Sequence, residues 1–381
     1  MPVQSGTKDK RSVVTQKRKI TIATRRSPLA LWQANTVKSL LEQQGYPVEL
    51  NLVVTSGDKM QRGALAEVSL DDPNIPAHLK TGKGLFVKEV QEEILSGRAD
   101  LAVHSMKDLP VETTSGLCIA AVLQRANPSD VMIFSPQLLT ILQAKANIKE
   151  NDFLDSNVSS IVDALHELSW SSAAPIGTTS ARRQHFLKTM FAPTALPLVV
   201  LRGNVDTRLG RVANNEFSFI MLARAGIDRL GLFQPHKMLT LPPTLSLPAP
   251  AQGVVAIECR ESDSELNQCL TKIGNPQASL QAACERTALW LTGGNCHTAL
   301  AAYFNDANLR VWAAKDSLQK DLDFVFLPDE VQKLETQAKS GSHTELFRAL
   351  LTSPAAQRMH AKLLSQEFQK LMPLRDPSKL I

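Results

Sequence analysis

Residues 19–45 read KITIATRRSPLALWQANTVKSLLEQQG, and this stretch decides the fold. Residues 19–24 form a short run rich in β-branched side chains, a strand signal. Ser27-Pro28 then supplies a helix N-cap followed by a proline whose fixed φ suits the first helical position. Leu29, Trp32, Thr36 and Leu40 follow at helical spacing, and Gly45 closes the helix. Strand passing directly into helix recurs downstream. Residues 48–55 make a second strand, a helix from Leu85 places Val90 and Ile94 on one face and stops at Gly97, and residues 99–104 read as a buried strand running into Ser105-Met106-Lys107-Asp108. After residue 174 the alternation returns: Ala174-Pro175-Ile176-Gly177 leads into Thr178-Thr179-Ser180 and a helix, with strands at 198–201 and 219–222. Such alternation implies largely parallel sheets covered by helices. Its occurrence twice predicts an α/β protein of two similar lobes with a cleft between them, and ligands of such sheets bind beyond the carboxyl ends of the strands.

Other segments fill out the organisation. Residues 1–18 are a basic tail, and residues 61–82 have the composition of a mobile loop. Residues 135–173, rich in Ser, Asn and Asp without a clean period, read as an insertion of partly helical surface. The stretch 241–252 carries four prolines and returns the chain between lobes. A third unit starts near 276 with a helix, then Gly293-Gly294-Asn295-Cys296, then strands at 300–304 and 309–313; residues 343–372 read as an amphipathic helical tail. The expected units are 19–123 plus 254–271, 129–247, and 276–381.

Composition narrows the functional classes. Hydrophobic residues at 43% and charged residues at 21% exclude a disordered or fibrous chain. No run of about 18 apolar residues exists to span a membrane, and the N-terminus has no apolar segment of the kind a secretory signal needs. Five cysteines without C-x-x-C spacing argue against a disulfide framework or a zinc site, so no metal is expected. The net charge of +5 with only 5% aromatics leaves little to stack bases, so nucleic acid is disfavoured.

The chemistry concentrates in a few places. Between 182 and 229 lie seven arginines, at 182, 183, 202, 208, 211, 224 and 229. The guanidinium fork grips carboxylate or phosphate with paired hydrogen bonds, and Thr178-Thr179-Ser180 adds hydroxyls and free N–H groups at a helix start. A polyanion in the cleft is the expected ligand. Asp108, placed after a buried strand and beside Lys107, would stay ionised among cations and could steady a positive intermediate or move a proton. Cys296, on a glycine-rich loop, suits covalent attachment. Cys118, Cys259 and Cys284 read as buried small hydrophobes.

Taken together these motifs resemble the porphobilinogen deaminase (hydroxymethylbilane synthase) family. The matching runs are 23–30 (ATRRSPLA), 82–89 (GKGLFVKE), 102–108 (AVHSMKD), 177–183 (GTTSARR), 201–209 (LRGNVDTRL), 222–232 (LARAGIDRLGL), Gln252-Gly253 with 257–260 (IECR), and the Gly-Asn-Cys loop, in unbroken order from about 19 to 315. The resemblance implies two periplasmic-binding-protein-like lobes with mostly parallel sheets, plus a smaller α+β C-terminal domain. It implies a transferase that joins four porphobilinogen molecules head to tail with release of ammonia, on a dipyrromethane cofactor held through Cys296. Asp108 would be catalytic. Arg25, Ser27, Ser105, Lys107, Thr178, Ser180, Arg182, Arg183, Arg202, Arg208, Arg229 and Gln252 would bind cofactor or substrate, with Lys83 and Phe86 at the base of a lid. Substituting Arg182 or Arg183 by Leu is expected to impair binding more than stability. Asn295 stands where the family commonly has glycine, and Lys80 is a shifted counterpart of a lid lysine. A monomer in the cytoplasm is expected, or in a plastid or other organelle if the basic N-terminus is a transit peptide. The alternative class is a non-enzymatic two-lobed small-anion binding protein, which leaves Asp108 and Cys296 without a role.

Overall fold

The computed structural model describes residues 17–55, 87–150, 152–170, 174–294 and 298–379. Strand β1 (Ile20–Arg25) feeds helix α1 (Pro28–Gln43) as the sequence predicts. Ser27 is extended, and its hydroxyl accepts from the Ala30 N–H at 3.4 Å, satisfying one open donor of the first turn. Gly45 ends the helix at φ +84°, where a side chain would be strained. Ala34, Val37 and Leu41 face a core with Ile20, Ile22, Leu101 and Ile257. Strand β2 (Val48–Val53) pairs parallel with β1, with Ile20 opposite Val48. After α2 (Lys88–Leu95), β3 (Leu101–Ser105) pairs parallel on the other side of β1, and β4 (Leu117–Val122) lies at the far edge.

The chain then crosses into a second sheet and back. Its elements are β5 (Asp130–Phe134), α3 (Pro136–Ala146), α4 (Val158–His166), β6 (Ile176–Gly177), α5 (Ala181–Met190), β7 (Leu198–Val199), α6 (Val205–Ala213), β8 (Phe219–Ala223), α7 (Arg224–Arg229) and β9 (Met238–Leu241). Strand β10 (Val255–Arg260) rejoins the first sheet, followed by α8 (Ser264–Ile273). The orders are β2-β1-β3-β10-β4 and β7-β6-β8-β5-β9. In each sheet four strands run one way and one runs against them, β10 in the first and β5 in the second. Both reversed strands occupy the fourth place, and each is the first strand after a crossing. This is the α/β, two-lobed, mostly parallel architecture expected.

The two crossing segments are bonded to each other. Ala126 N–H donates to Gly253 O at 3.0 Å, and the Arg125 Nε–H to Gln252 O at 3.0 Å. Gly253 sits at φ +90°, and a Cβ there would meet Ala126 O at 2.5 Å, so only glycine permits the approach. Glu285 ties in the third unit. It holds Arg125 through two oxygens at 2.6 and 3.1 Å and accepts from Ala251 N–H and Phe304 N–H.

Glu285 lies on α9 (Pro276–Leu291), which packs on an antiparallel sheet of β11 (Ala299–Asn305), β12 (Asn308–Lys315) and β13 (Leu318–Val325). Helices α10 (Pro328–Ser340), α11 (His343–Leu351) and α12 (Pro354–Ser365) complete the unit. Two expectations need correction. The 343–372 segment is no appended tail: Leu346, Leu350, Met359, Leu363 and Phe368 share one core with α9 and the sheet. Nor are the described residues of 135–173 mere surface, because Leu138, Leu142, Leu154, Ile161, Leu165 and Trp170 share one buried cluster with Phe191 and Phe219. Burying each such side chain contributes about 1.5–3 kcal/mol, so these helices are structural members of the second lobe. Among the described residues no helix is long and apolar enough to cross a membrane.

Candidate active site

Between the lobes lies a cavity of about 350 Å³, lined from both sheets and from the returning segment. Its first-lobe wall grows out of strand ends. Arg25 ends β1, Ser27 caps α1, and β3 ends at Ser105 before a 3₁₀ turn, Met106–Asp108. Met106 is fully buried, its N–H donates to Val254 O at 3.0 Å, and Leu109 N–H returns to Met106 O at 3.1 Å. With Met106 fixed inward, its neighbours Lys107 and Asp108 both line the cavity. Lys107 Nζ donates to Gln252 Oε1 at 3.2 Å.

The second-lobe wall is cationic. Arg202 follows β7, Arg208 lies in α6 and Arg229 ends α7. Burial lowers the pKa of Arg208 to about 10; Arg183 adds to that and Asp108 opposes it. Burial likewise brings Arg229 to about 10, with Asp228 opposing, and burial lowers Arg202. All three remain cations at neutral pH. Arg208 Nε–H donates to Gly203 O at 2.8 Å, and Arg229 Nη2 to Gly253 O at 2.7 Å while its guanidinium stands 5.5 Å from the Trp32 ring, within cation–π range. Among the described residues Arg202 has no hydrogen-bond or ion-pair partner. Seven cations (Arg25, Lys107, Arg182, Arg183, Arg202, Arg208, Arg229) line this cavity against two carboxylates, Asp108 and Asp206.

Arg182 and Arg183 differ from the rest. Both also line the cavity, yet both grip Asp130, which is wholly buried at the start of β5. Arg182 lies 2.7 and 3.0 Å from its two oxygens, and Arg183 donates from Nε and Nη2 at 3.1 and 2.8 Å. Ser246 and Gln252 add hydrogen bonds at 3.1 and 3.0 Å. Two cations share one anion, so the cluster keeps a net positive charge behind the wall. Both side chains are thus bonded into the fold as well as lining the cavity, and losing either would break several buried hydrogen bonds while leaving Asp130 one cation.

Of the residues expected at the site, Arg25, Ser27, Ser105, Lys107, Asp108, Ser180, Arg182, Arg183, Arg202, Arg208, Arg229 and Gln252 meet at this cavity. Thr178 does not line it. Its N–H bonds Val199 O, its hydroxyl accepts from Ser180 N–H at 3.2 Å, and its neighbour Thr179 faces the cavity instead. Lys83, Phe86 and Cys296 lie outside the described residues. Arg211 and Arg224, part of the same cluster in sequence, pair with Glu216 and Asp228 at 2.7 Å away from the cavity. Sequence reading passed over Gln33, whose Nε2 donates to Ser105 Oγ at 2.8 Å, and His104, whose Nε2 lies 3.2 Å from Glu258. A signal for Gln33 existed: it occupies the same stripe of α1 as buried Val37 and Leu41, where an amide needs a partner.

A family model described as "Porphobilinogen deaminase, dipyromethane cofactor binding domain" matches residues 20–268. A porphobilinogen deaminase of Legionella pneumophila (strain Lens) is 39% identical over 286 residues, 74% of this chain and 79% of the relative. One from Maridesulfovibrio salexigens is 39% identical over 288 residues, 75% of this chain and 80% of the relative. Among solved structures, the zinc-bound ligand-binding component of an ABC-type import system from Staphylococcus aureus is similar at TM-score 0.36 and 11% identity, over 95% of this chain and 96% of that one.

Proposed function

The chain belongs to the porphobilinogen deaminase family, and from that premise we propose that the cleft cations hold the carboxylates of cofactor and growing chain while Asp108 acts on the incoming ring. The activity is that of the family: porphobilinogen units are joined head to tail into the linear tetrapyrrole hydroxymethylbilane, with ammonia released. The family model is that of the domain binding the dipyrromethane cofactor. When bound, that group supplies the free pyrrole position from which the chain extends.

The donor set fits such a group. A dipyrromethane bears two acetates and two propionates. The residues that would hold it are Arg202, which has no hydrogen-bond or ion-pair partner among the described residues, and Arg208 and Arg229, each bonded there to one backbone carbonyl out of five N–H donors. These guanidiniums bind and orient the acid side chains. Loss of ammonia leaves positive charge on the incoming ring, in a cleft already crowded with cations. A fixed carboxylate at Asp108 offsets that charge without solvent reorganisation and can take the proton released when the new carbon–carbon bond forms. The observation that carries this reading is Asp108 held on a fixed turn, with Arg208 near enough to feel its charge.

Attachment of the cofactor through Cys296 is part of the proposal, supported by its position after α9 on a Gly-Gly-Asn-Cys run. So are the units 19–123 plus 254–271, 129–247 and 276–381, each carrying one of the three sheets, and a monomeric state in the cytoplasm. The four described cysteines are all unpaired, which suits a reducing compartment. Intact-mass measurement of purified protein, run beside uroporphyrin formation from porphobilinogen, tests the assignment. The expected result is a dipyrromethane-sized adduct lost in Cys296→Ser together with turnover. Active protein without an adduct, or an adduct surviving in the variant, would overturn it.

A further inference from the structure

A second cavity, of about 330 Å³, opens between the second lobe and the outer face of the C-terminal sheet. Strand alternation makes that face. Along β12, Leu309, Val311 and Ala313 enter the core shared with α9, so Arg310 and Trp312 point outward. In the β12–β13 register Trp312 stands opposite Asp321 and Arg310 opposite Asp323, which sets a cation, an indole and an acid side by side. Helix α5 covers this face without sealing it. The His185 ring meets the Trp312 ring edge-on at 5.4 Å, and Thr189 Oγ1 donates to Gln319 Oε1 at 3.4 Å. Phe186 and Met190 of α5 and Leu245 and Leu247 of the returning segment supply apolar walls.

The charged groups of this cavity differ in sign. Arg182 lines it as well as the cleft, and Arg182 belongs to the cluster that sets two arginines on one Asp130. Arg310 adds a guanidinium whose ion-pair partner is Asp323, Nε to Oδ1 at 3.3 Å. Asp321 is the acid, and among the described residues it has no hydrogen-bond or ion-pair partner. Partial burial raises its pKa, with Arg310 opposing and Asp323 adding to the rise. A cation arriving there would stabilise the charged form.

We propose that this cavity is a ligand site for a small aromatic zwitterion: its ring lies among Trp312, Phe186 and Met190, its ammonium meets Asp321 and its carboxylate meets Arg310. The site is distinct from the cleft and shares the Arg182 wall with it. Two kinds of molecule carry this chemistry, a free aromatic amino acid and porphobilinogen, whose pyrrole bears an aminomethyl group and two carboxylates.

Calorimetric titration of the holoenzyme with L-tryptophan and with indole-3-acetate tests the site. Tryptophan should bind with a Kd on the order of 1 mM or tighter, as expected for a ligand of about fifteen heavy atoms. Trp312→Ala should weaken it roughly tenfold. Asp321→Asn should weaken tryptophan about two- to fivefold and leave indole-3-acetate, which lacks the ammonium, unweakened, while Arg310→Met should weaken both. Turnover tells the two sources apart. If porphobilinogen also occupies the cavity, its rate curve departs from a single hyperbola at high concentration and becomes hyperbolic in Trp312→Ala; a wild-type curve that is already hyperbolic assigns the site to the amino acid. No saturable heat from tryptophan, equal binding by wild type and Trp312→Ala, or an equal loss of both probes in Asp321→Asn would overturn the proposal. Neither titration depends on turnover, so their outcome is independent of the roles given to Asp108 and Cys296.

Discussion

Asp130→Asn tests the electrostatic design of the second lobe directly. Asp130 is wholly buried and accepts from Arg182, Arg183, Ser246 and Gln252. Burial by itself raises its pKa, but the charges of Arg182 and Arg183 override this and hold it well below the usual carboxylate range. At 2.8 Å and an effective dielectric near 20, each pair attracts by roughly 6 kcal/mol before desolvation is subtracted. Removing one partner of such a cluster costs about 3–5 kcal/mol, because the opposite charge stays buried. Asparagine keeps one acceptor oxygen, so the low end applies. At about 2–4 °C per kcal/mol, the lobe's thermal midpoint should fall by roughly 6–12 °C at pH 7. The sign with pH follows from linkage. The folded pKa lies below the unfolded one, so this contribution is complete above about pH 4 and fades as pH drops toward the folded value. The gap between wild type and variant, followed by calorimetry, should therefore narrow below about pH 4. Adding Arg183→Met should restore part of the loss, since one of the two stranded cations goes with it. A midpoint within about 1 °C of wild type at pH 7, or no coupling between the two substitutions, would refute the reasoning.

Three further outcomes are expected. Asp108→Asn keeps the turn and the fold but should lower kcat about 10²–10³-fold, the range for one preorganised charge; single-turnover release of ammonia at the wild-type rate would remove the carboxylate from the chemistry. Gly253→Ala forces a Cβ against Ala126 O in a left-handed backbone setting, and should destabilise by at least about 1–2 kcal/mol, read as a lower thermal midpoint; an unchanged midpoint would mean the crossing segments separate freely. His343, 2% exposed with Nδ1 3.0 Å from Ser279 Oγ, has its pKa pushed down to about 3, by burial first and Arg286 second. Its unfolded form takes a proton near pH 6.5, so between about pH 6.5 and 3 stability falls with falling pH. His343→Gln should flatten that decline, and parallel midpoint curves for the two proteins would exclude the effect.

Local signals made some of this legible and distance hid the rest. The first βα unit could be read because its cap, its proline, its apolar spacing and its closing glycine lie within twenty-seven residues. Residues 135–173 misled because the buried Leu138, Leu142, Ile161 and Leu165 lie on two short helices whose outer faces carry Gln137, Thr140 and Lys145 on the first and Ser159, Ser160 and Asp163 on the second, so each apolar period spans only two or three turns. The tail misled for a different reason: its amphipathic pattern was visible, but the core that α9 offers it was not. The arginine cluster shows the same limit in the site itself. Composition counts 182, 183, 202, 208, 211, 224 and 229 alike, yet Arg211 and Arg224 are engaged by local acids and Arg182 and Arg183 by Asp130, some fifty residues earlier. Only Arg202, Arg208 and Arg229 of the seven remain to meet a ligand without first giving up a carboxylate.

That division has a physical reason. A cleft that grips a chain of carboxylates needs positive charge fixed before the ligand arrives, and unpaired buried cations are costly to hold. Placing Asp130 behind the wall lets two arginines be buried with their charges mostly met, while their shared excess still projects into the cavity. The ligand-facing guanidiniums can then stay only partly committed, each to a single backbone carbonyl or to none among the described residues. Asp108 is the complementary choice on the opposite lobe, an acid carried on the turn that Met106 anchors. Converting Arg208 to Met should accordingly weaken substrate binding, while converting Arg183 to Met should first weaken the fold. Comparing KM with thermal midpoint across the two variants separates these roles, and equal effects on both quantities would dissolve the distinction.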